Sequence, residues 1–194
     1  METSMSAKTE YKSSRIHPLK FALYLGIVSM IMAFAALSSA YIVRQSAGNW
    51  LEFRLPTMFF VSSGVILLSS ACLWMSSRAF NQQKERTYKN FMILTFLLGI
   101  TFLITQYLGW MEMYNSGIDL KGNPSGSFVY IMSMVHAVHV LGGIVVLSVA
   151  LYHAFILPFK VTGERRVRLD LTSTYWHFVD ILWIYLLLFF ILQR

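Results

Sequence analysis

Five apolar stretches, at about residues 20–43, 57–77, 91–113, 128–157 and 173–192, make up most of this 194-residue chain. Each is long enough to cross the ~30 Å hydrocarbon layer of a bilayer as a helix rising ~1.5 Å per residue. Hydrocarbon offers no water to backbone N–H and C=O groups, so stretches of this length span it as helices that bond internally. The expected fold is all-α: an integral membrane bundle of five transmembrane helices at about 20–44, 56–78, 89–114, 127–157 and 173–193. Residues 1–19 are polar and mixed in charge and read as a cytoplasmic tail, which leaves no separate soluble domain. Composition agrees, with 56% of residues apolar, 15% aromatic and a mean hydropathy of +0.57. An ordinary water-soluble domain is less apolar than this.

Lysine and arginine placement sets the expected orientation. Lys8, Lys12, Arg15 and Lys20 precede or open helix 1, Arg78, Lys84, Arg86 and Lys89 link helices 2 and 3, and Lys160, Arg165, Arg166 and Arg168 link helices 4 and 5. Against these twelve, the other side carries only Arg44, Arg54, Lys121 and Arg194. The N-terminus is therefore expected in the cytoplasm and the C-terminus outside. The same distribution accounts for the net charge of +7, so no nucleic-acid partner is implied. Cys72, the only cysteine, lies within the second span and reads as packing. A lone cysteine excludes an intrachain disulfide and a cysteine-rich metal site.

Small residues mark where helices approach one another. Ser29, Ala33, Ala36 and Ala40 form a stripe along helix 1. In helix 2 the pairs Ser62-Ser63, Ser69-Ser70 and Ser76-Ser77 recur every seven residues, a spacing that holds them on one face. That seam contains no acid or amide, so it reads as a helix contact rather than a pore lining. Helix 3 carries Gln106, and Glu112 near its outer end is expected to be solvated or to snorkel. Asn115–Gly126 is a turn-rich linker, Pro158 is expected to stop helix 4, and Lys160–Asp170 reads as a basic loop ahead of helix 5.

Helices 4 and 5 hold the groups with chemistry. His136 and His139 stand at i, i+3, a spacing able to hold a metal if further ligands share their depth. With helix 5 opening near Thr174, His177 and Asp180 lie ~5–10 Å from its inner end, whereas His139 lies ~27 Å from that of helix 4. These groups are thus expected not to share an ion, and hydrogen bonding is the expected role of the histidines. His139 and His153 lie on one face ~21 Å apart, as in di-haem cytochrome b helices, but no histidine stands opposite His139. Depth instead groups His153, His177 and Asp180 as a polar cluster on the cytoplasmic side. Trp176, Asp180 and Trp183 share a face of helix 5. An intramembrane carboxylate costs ~2.5–3.5 kcal/mol on insertion scales, so Asp180 calls for a partner or a role. A binding subunit, a haem-b membrane anchor and a small transporter all remain open. Sparse mid-membrane polar groups argue against the last.

The segment Tyr175-Trp176-His177-Phe178-Val179-Asp180-Ile181-Leu182-Trp183 resembles the last helix of cytochrome c oxidase subunit III. His136-Ala137-Val138-His139-Val140-Leu141-Gly142-Gly143 resembles that family's His-x-x-His-Val-x-x-Gly segment on the preceding helix, and Gln106 with Trp110 suits the helix before. The likeness is close over 127–194 and looser over 20–114.

The resemblance implies a short five-helix form of a fold that usually has seven helices in two bundles around a lipid-filled cleft. With the first two helices missing, the cleft and its lipids are in doubt. Where the family usually has glutamate after serine, this chain reads Val28-Ser29-Met30, so the carbodiimide-reactive acid of relatives is absent. By resemblance the chain is the non-catalytic subunit III of a proton-pumping haem–copper terminal oxidase that oxidises cytochrome c and reduces oxygen to water. It would stabilise subunit I and support proton uptake, with haem and copper in partner subunits, none in this chain, and bound phospholipid admitted. Implied partners are oxidase subunits I and II, membrane lipids and a respiratory supercomplex with a quinol-oxidising complex, in a bacterial inner membrane. Quinol oxidases contain a similar subunit, so the electron donor stays open. His136, His139, Gly142, Trp176, His177, Asp180 and Trp183 carry the family motifs and would contact lipid or neighbouring subunits.

Overall fold

The computed structural model describes residues 18–156, 159 and 161–193. The expected tail up to residue 17, the stop at Pro158, and the charges Lys8, Lys12, Arg15, Lys160 and Arg194 lie outside these residues. Five helices account for nearly all of the rest: α1 (Pro18–Ser46), α2 (Thr57–Asn81), α3 (Glu85–Asn115), α4 (Pro124–Ile156) and α5 (Gly163–Leu192). All five are long and apolar enough to cross a membrane, and the described residues contain no strand.

Four helices start earlier than expected, α1 at Pro18 rather than 20 and α3 at Glu85 rather than 89 among them. The α4 helix begins at Pro124 rather than 127, because the Asn123 side-chain oxygen accepts from the Ser125 N–H at 3.0 Å. Asparagine at the N-cap and proline in the first helical position both suit a helix start. The α5 helix begins at Gly163 rather than 173. There the Thr162 side chain accepts from the Arg165 N–H at 3.4 Å, and Glu164 lies in the first turn, where the helix dipole favours an acid. Most of the expected basic loop Lys160–Asp170 is therefore helix.

Helices α2, α3, α4 and α5 close into a ring in which each packs on the next and α5 returns to α2. Neighbours in the ring run antiparallel: Ser62 meets Gln106 while Ser76 meets Tyr88 across α2 and α3, and Ser63 meets Trp183 while Ser77 meets Ser173 across α2 and α5. The α1 helix stays outside the ring and touches only α4 and α5. It runs parallel to α5, from the Lys20–Asp170 ion pair at 3.2 Å to the Tyr41 hydroxyl donating to the Gln193 carbonyl at 3.2 Å. Its buried residues are Phe34, Ser38 and Tyr41. The stripe Ser29, Ala33, Ala36 and Ala40 faces outward, so no helix of this chain uses it.

Glu112 does not snorkel. Its carboxylate accepts from the Thr57 N–H at 3.1 Å, the Thr57 hydroxyl at 2.8 Å and the Met58 N–H at 3.4 Å. The residue before α2 is Pro56, which has no side chain able to cap, so the acid of α3 supplies the N-terminal cap of α2.

Candidate functional site

Each of the six serines of the α2 seam has a partner on α3 or α5. Ser62 accepts from the Gln106 amide at 2.8 Å, Ser63 from the Trp183 indole at 2.9 Å, and Ser69 from the Trp176 indole at 3.0 Å. Ser70 shares a hydrogen bond with His177 Nδ1, Ser76 donates to the Tyr88 carbonyl at 3.1 Å, and Ser77 pairs with Ser173 at 3.0 Å. The seven-residue repeat thus places a hydroxyl opposite α3 or α5 at each pair of turns. This is the helix contact expected from the sequence.

Trp176 is the centre of the ring. Its side chain is 1% exposed, and it fits only because α3 and α4 present glycine to it. A Cβ built on Gly99 would lie 2.8 Å from the indole and one on Gly143 2.9 Å from it. Tyr175, beside it, donates from its hydroxyl to the His139 carbonyl at 2.9 Å and lies over Gly142. The Gly142-Gly143 pair of the motif therefore seats two consecutive aromatic rings of α5. Gly99 was missed in the sequence, where a lone glycine in an apolar run carries no sign of what approaches it.

Two turns on, Trp183 is wholly buried against Phe59, Phe102 and His136, with ring centroids 5.4, 5.5 and 5.2 Å away. His136 is fully buried, with Phe34, Phe102 and Trp183 around it, and neither of its ring nitrogens has a hydrogen-bond partner among the described residues. Hydrogen bonding, expected for this histidine, is not what holds it. Edge and face contacts with aromatic rings do. His139 meets the expectation: its Nδ1 lies 2.8 Å from the Val135 carbonyl.

The expected cluster of His153, His177 and Asp180 does not form. With α5 starting at Gly163, His177 is ~21 Å along its helix, while His153 is only three residues from the end of α4. His153 instead lines a pocket at the helix ends with Arg165 and Arg168. Asp180 is 2% exposed, and neither carboxyl oxygen has a hydrogen-bond partner among the described residues. The Ser70 hydroxyl lies beside it but is engaged with His177. The early start of α5 also removes the depth argument that separated the α5 motif from His139, since Tyr175 touches the His139 carbonyl. Even so, no group of three or more His, Cys, Asp or Glu side chains able to hold a metal ion occurs among the described residues.

Among the described residues, three buried side chains thus keep unpartnered polar atoms, namely Gln106 Oε1, both nitrogens of His136 and the Asp180 carboxyl. Much of the remaining polar interior bonds helix to helix, while the buried Thr95, Thr105 and Thr172 donate to carbonyls of their own helices. The bonds between helices hold them in register.

Comparison with known proteins adds to this geometry. A family model described as cytochrome c oxidase subunit III matches residues 3–193. A probable cytochrome c oxidase subunit 3 of Nocardia farcinica is 26% identical over 198 residues, covering 95% of each chain. One from Mycobacterium bovis is 28% identical over 184 residues, covering 89% of each. A cytochrome bo(3) ubiquinol oxidase subunit 3 of Buchnera aphidicola is 26% identical over 168 residues, 84% of this chain and 88% of that one.

Proposed function

The chain belongs to the cytochrome c oxidase subunit III family, and within a haem–copper oxidase we propose that its part is non-catalytic: it stabilises subunit I and supports proton uptake there. It binds subunits I and II in a bacterial inner membrane, with its N-terminus in the cytoplasm. It holds no haem or copper of its own. The α1 helix carries this reading. Only 11% of its most apolar window is buried within the chain, and its small-residue stripe points outward. A surface that admits close backbone approach is what a helix of a partner subunit needs. The polar side chains of the ring meanwhile serve contacts between helices, which suits a binding role.

A second reading has a specific observation behind it. Relatives of similar coverage include a ubiquinol oxidase subunit as well as cytochrome c oxidase subunits, so the electron donor is either cytochrome c or a quinol.

Purification of the tagged chain in mild detergent tests both. Co-purifying haem–copper subunits, with oxygen consumption driven by reduced cytochrome c, is the expected result. Consumption driven by quinol alone moves the complex to the second reading. Stoichiometric haem on the isolated chain, lost on replacing His153 or His177, overturns the non-catalytic role.

A further inference from the structure

Gln106 of α3 and His136 of α4 are both fully buried. Gln106 Oε1 and the two His136 nitrogens have no hydrogen-bond partner among the described residues. We propose that these two side chains hold an internal water molecule between them, bonded to Gln106 Oε1 and to one nitrogen of His136.

Their neighbours place the two groups together. Along α3, Gln106 stands one turn from Phe102 and one turn from Trp110, on a shared face. Along α4, Ser133 and His136 are three residues apart and also share a face. The Phe102 and His136 rings meet at 5.8 Å between centroids, and the Trp110 indole donates to the Ser133 hydroxyl at 2.9 Å. Gln106 therefore faces α4 in the interval between Ser133 and His136. The other two helices close the same layer. The Gln106 amide donates to Ser62 at 2.8 Å, the Trp183 indole donates to Ser63 at 2.9 Å, and the Trp183 ring lies 5.2 Å from that of His136.

Counting donors and acceptors selects the ligand. Gln106 Oε1 can only accept, while a neutral imidazole presents one N–H and one bare nitrogen. A water accepts from that N–H, donates to Gln106 Oε1 and has a second proton to give. Two serine oxygens of this layer can receive it. Ser133 donates to the Val129 carbonyl at 2.6 Å and accepts from Trp110, and Ser62 donates to the Phe59 carbonyl at 2.8 Å and accepts from Gln106. Each hydroxyl oxygen has two lone pairs, so one stays open on either serine. The water then makes ~3 hydrogen bonds, the usual number for a buried one. A metal ion fits less well, because no group of three or more His, Cys, Asp or Glu side chains able to hold one occurs among the described residues.

Bonded in this way, the water ties α3 to α4 within the apolar part of the bundle. The direct side-chain bonds from Trp110 to Ser133 and from Tyr130 to the Trp110 carbonyl lie nearer the α3–α4 connection. His136 is three residues further along α4 than Ser133, and there the paired surfaces are rings. A shared water adds a directional link at that level, where apolar packing alone discriminates poorly between helix registers. The site is built within one chain and does not depend on the identity of the oxidase.

The test uses the full chain purified with its partners. A cryo-electron microscopy map fine enough to show ordered waters should place one ~2.7–3.2 Å from both Gln106 Oε1 and a His136 nitrogen. Thermal unfolding then asks whether the two residues act through it. Gln106→Met removes the acceptor at similar volume, and His136→Phe keeps a flat ring without nitrogens. Either change releases the water, so the loss of melting temperature in Gln106→Met/His136→Phe should fall short of the summed single losses by at least ~2 °C. Ser77→Ala with His136→Phe should be additive, since Ser77 is ~22 Å along α2 from Ser62. A map with a direct Gln106–His136 bond, or with no density between them, would overturn the proposal, and so would additive losses in the double variant. Should either single variant fail to assemble, the wild-type map alone decides.

Discussion

The Trp176 indole nitrogen donates to the Ser69 hydroxyl at 3.0 Å, across the middle of the ring from α5 to α2. The same hydroxyl lies 3.4 Å from the Thr95 carbonyl, so one serine joins α2, α3 and α5. Membrane bundles rely on such contacts, because apolar side chains gain little by leaving lipid for one another.

Replacing Ser69 separates its two roles. Ser69→Ala removes the hydroxyl and should cost ~0.6–2 kcal/mol, the range found for hydrogen bonds between membrane helices. Ser69→Leu also forces a branched side chain into a fully buried position and should cost ~1–3 kcal/mol more. Thermal unfolding in detergent, with co-purification of partner subunits, reads both. Equal stability of Ser69→Leu and wild type would show that the seam is not a helix contact.

The two motif glycines should differ. Gly143→Ala places a methyl group 2.9 Å from the Trp176 ring, while at Gly142 the nearest atom is the Tyr175 hydroxyl at 3.5 Å. Gly99 also lies close against the Trp176 ring, which limits its room to retreat. Gly143→Ala should cost ~1–3 kcal/mol by overpacking, and Gly142→Ala should lie within ~0.5 kcal/mol of wild type. Denaturant titration followed by tryptophan fluorescence compares them; a larger loss at Gly142 would contradict the packing described.

Glu112→Ala should lower stability by ~0.5–2 kcal/mol through loss of the α2 cap. Amide exchange should rise first at Thr57 and Met58, whose N–H groups it accepts. Unchanged protection of these amides would show that Glu112 caps nothing.

Among the described residues the Asp180 carboxyl has no hydrogen-bond partner of its own, the nearby Ser70 hydroxyl being engaged with His177. Asp180→Leu should leave stability unchanged or raise it by on the order of 1 kcal/mol, since a buried unpaired polar group is a cost to the folded state. A fall of more than ~2 kcal/mol would mean that the carboxyl has a strong partner.

Long apolar runs made the five spans legible in the sequence, and the seven-residue serine period made the α2 contact face legible as well. The start of α5 was not, because its charges read as a loop although Thr162 and Glu164 already form a helix opening. That ten-residue difference carried through to the site. It brought His153, His177 and Asp180 to one calculated depth, when His153 in fact lies among Arg165 and Arg168. Glu112 illustrates a different limit: its role depends on Pro56 and Thr57, far away in the chain, and no local pattern announces a cap supplied by another helix. Gly99 is hidden for the same reason, since only the arrival of Trp176 gives it meaning.

The position of α1 outside the ring has a consequence for biosynthesis. Among the five described helices it is made before the others, yet α4 and α5, which it touches, are made after the rest. At ~5–20 residues per second, the chain between Ser46 and Gly163 takes roughly 6–25 s to make. Throughout that interval α1 sits in the bilayer with no intramolecular partner, its row of Ser29, Ala33, Ala36 and Ala40 open to any neighbouring span. Association with another polypeptide can therefore begin while the ring is still being translated, before α5 arrives beside Tyr41 and Ser38.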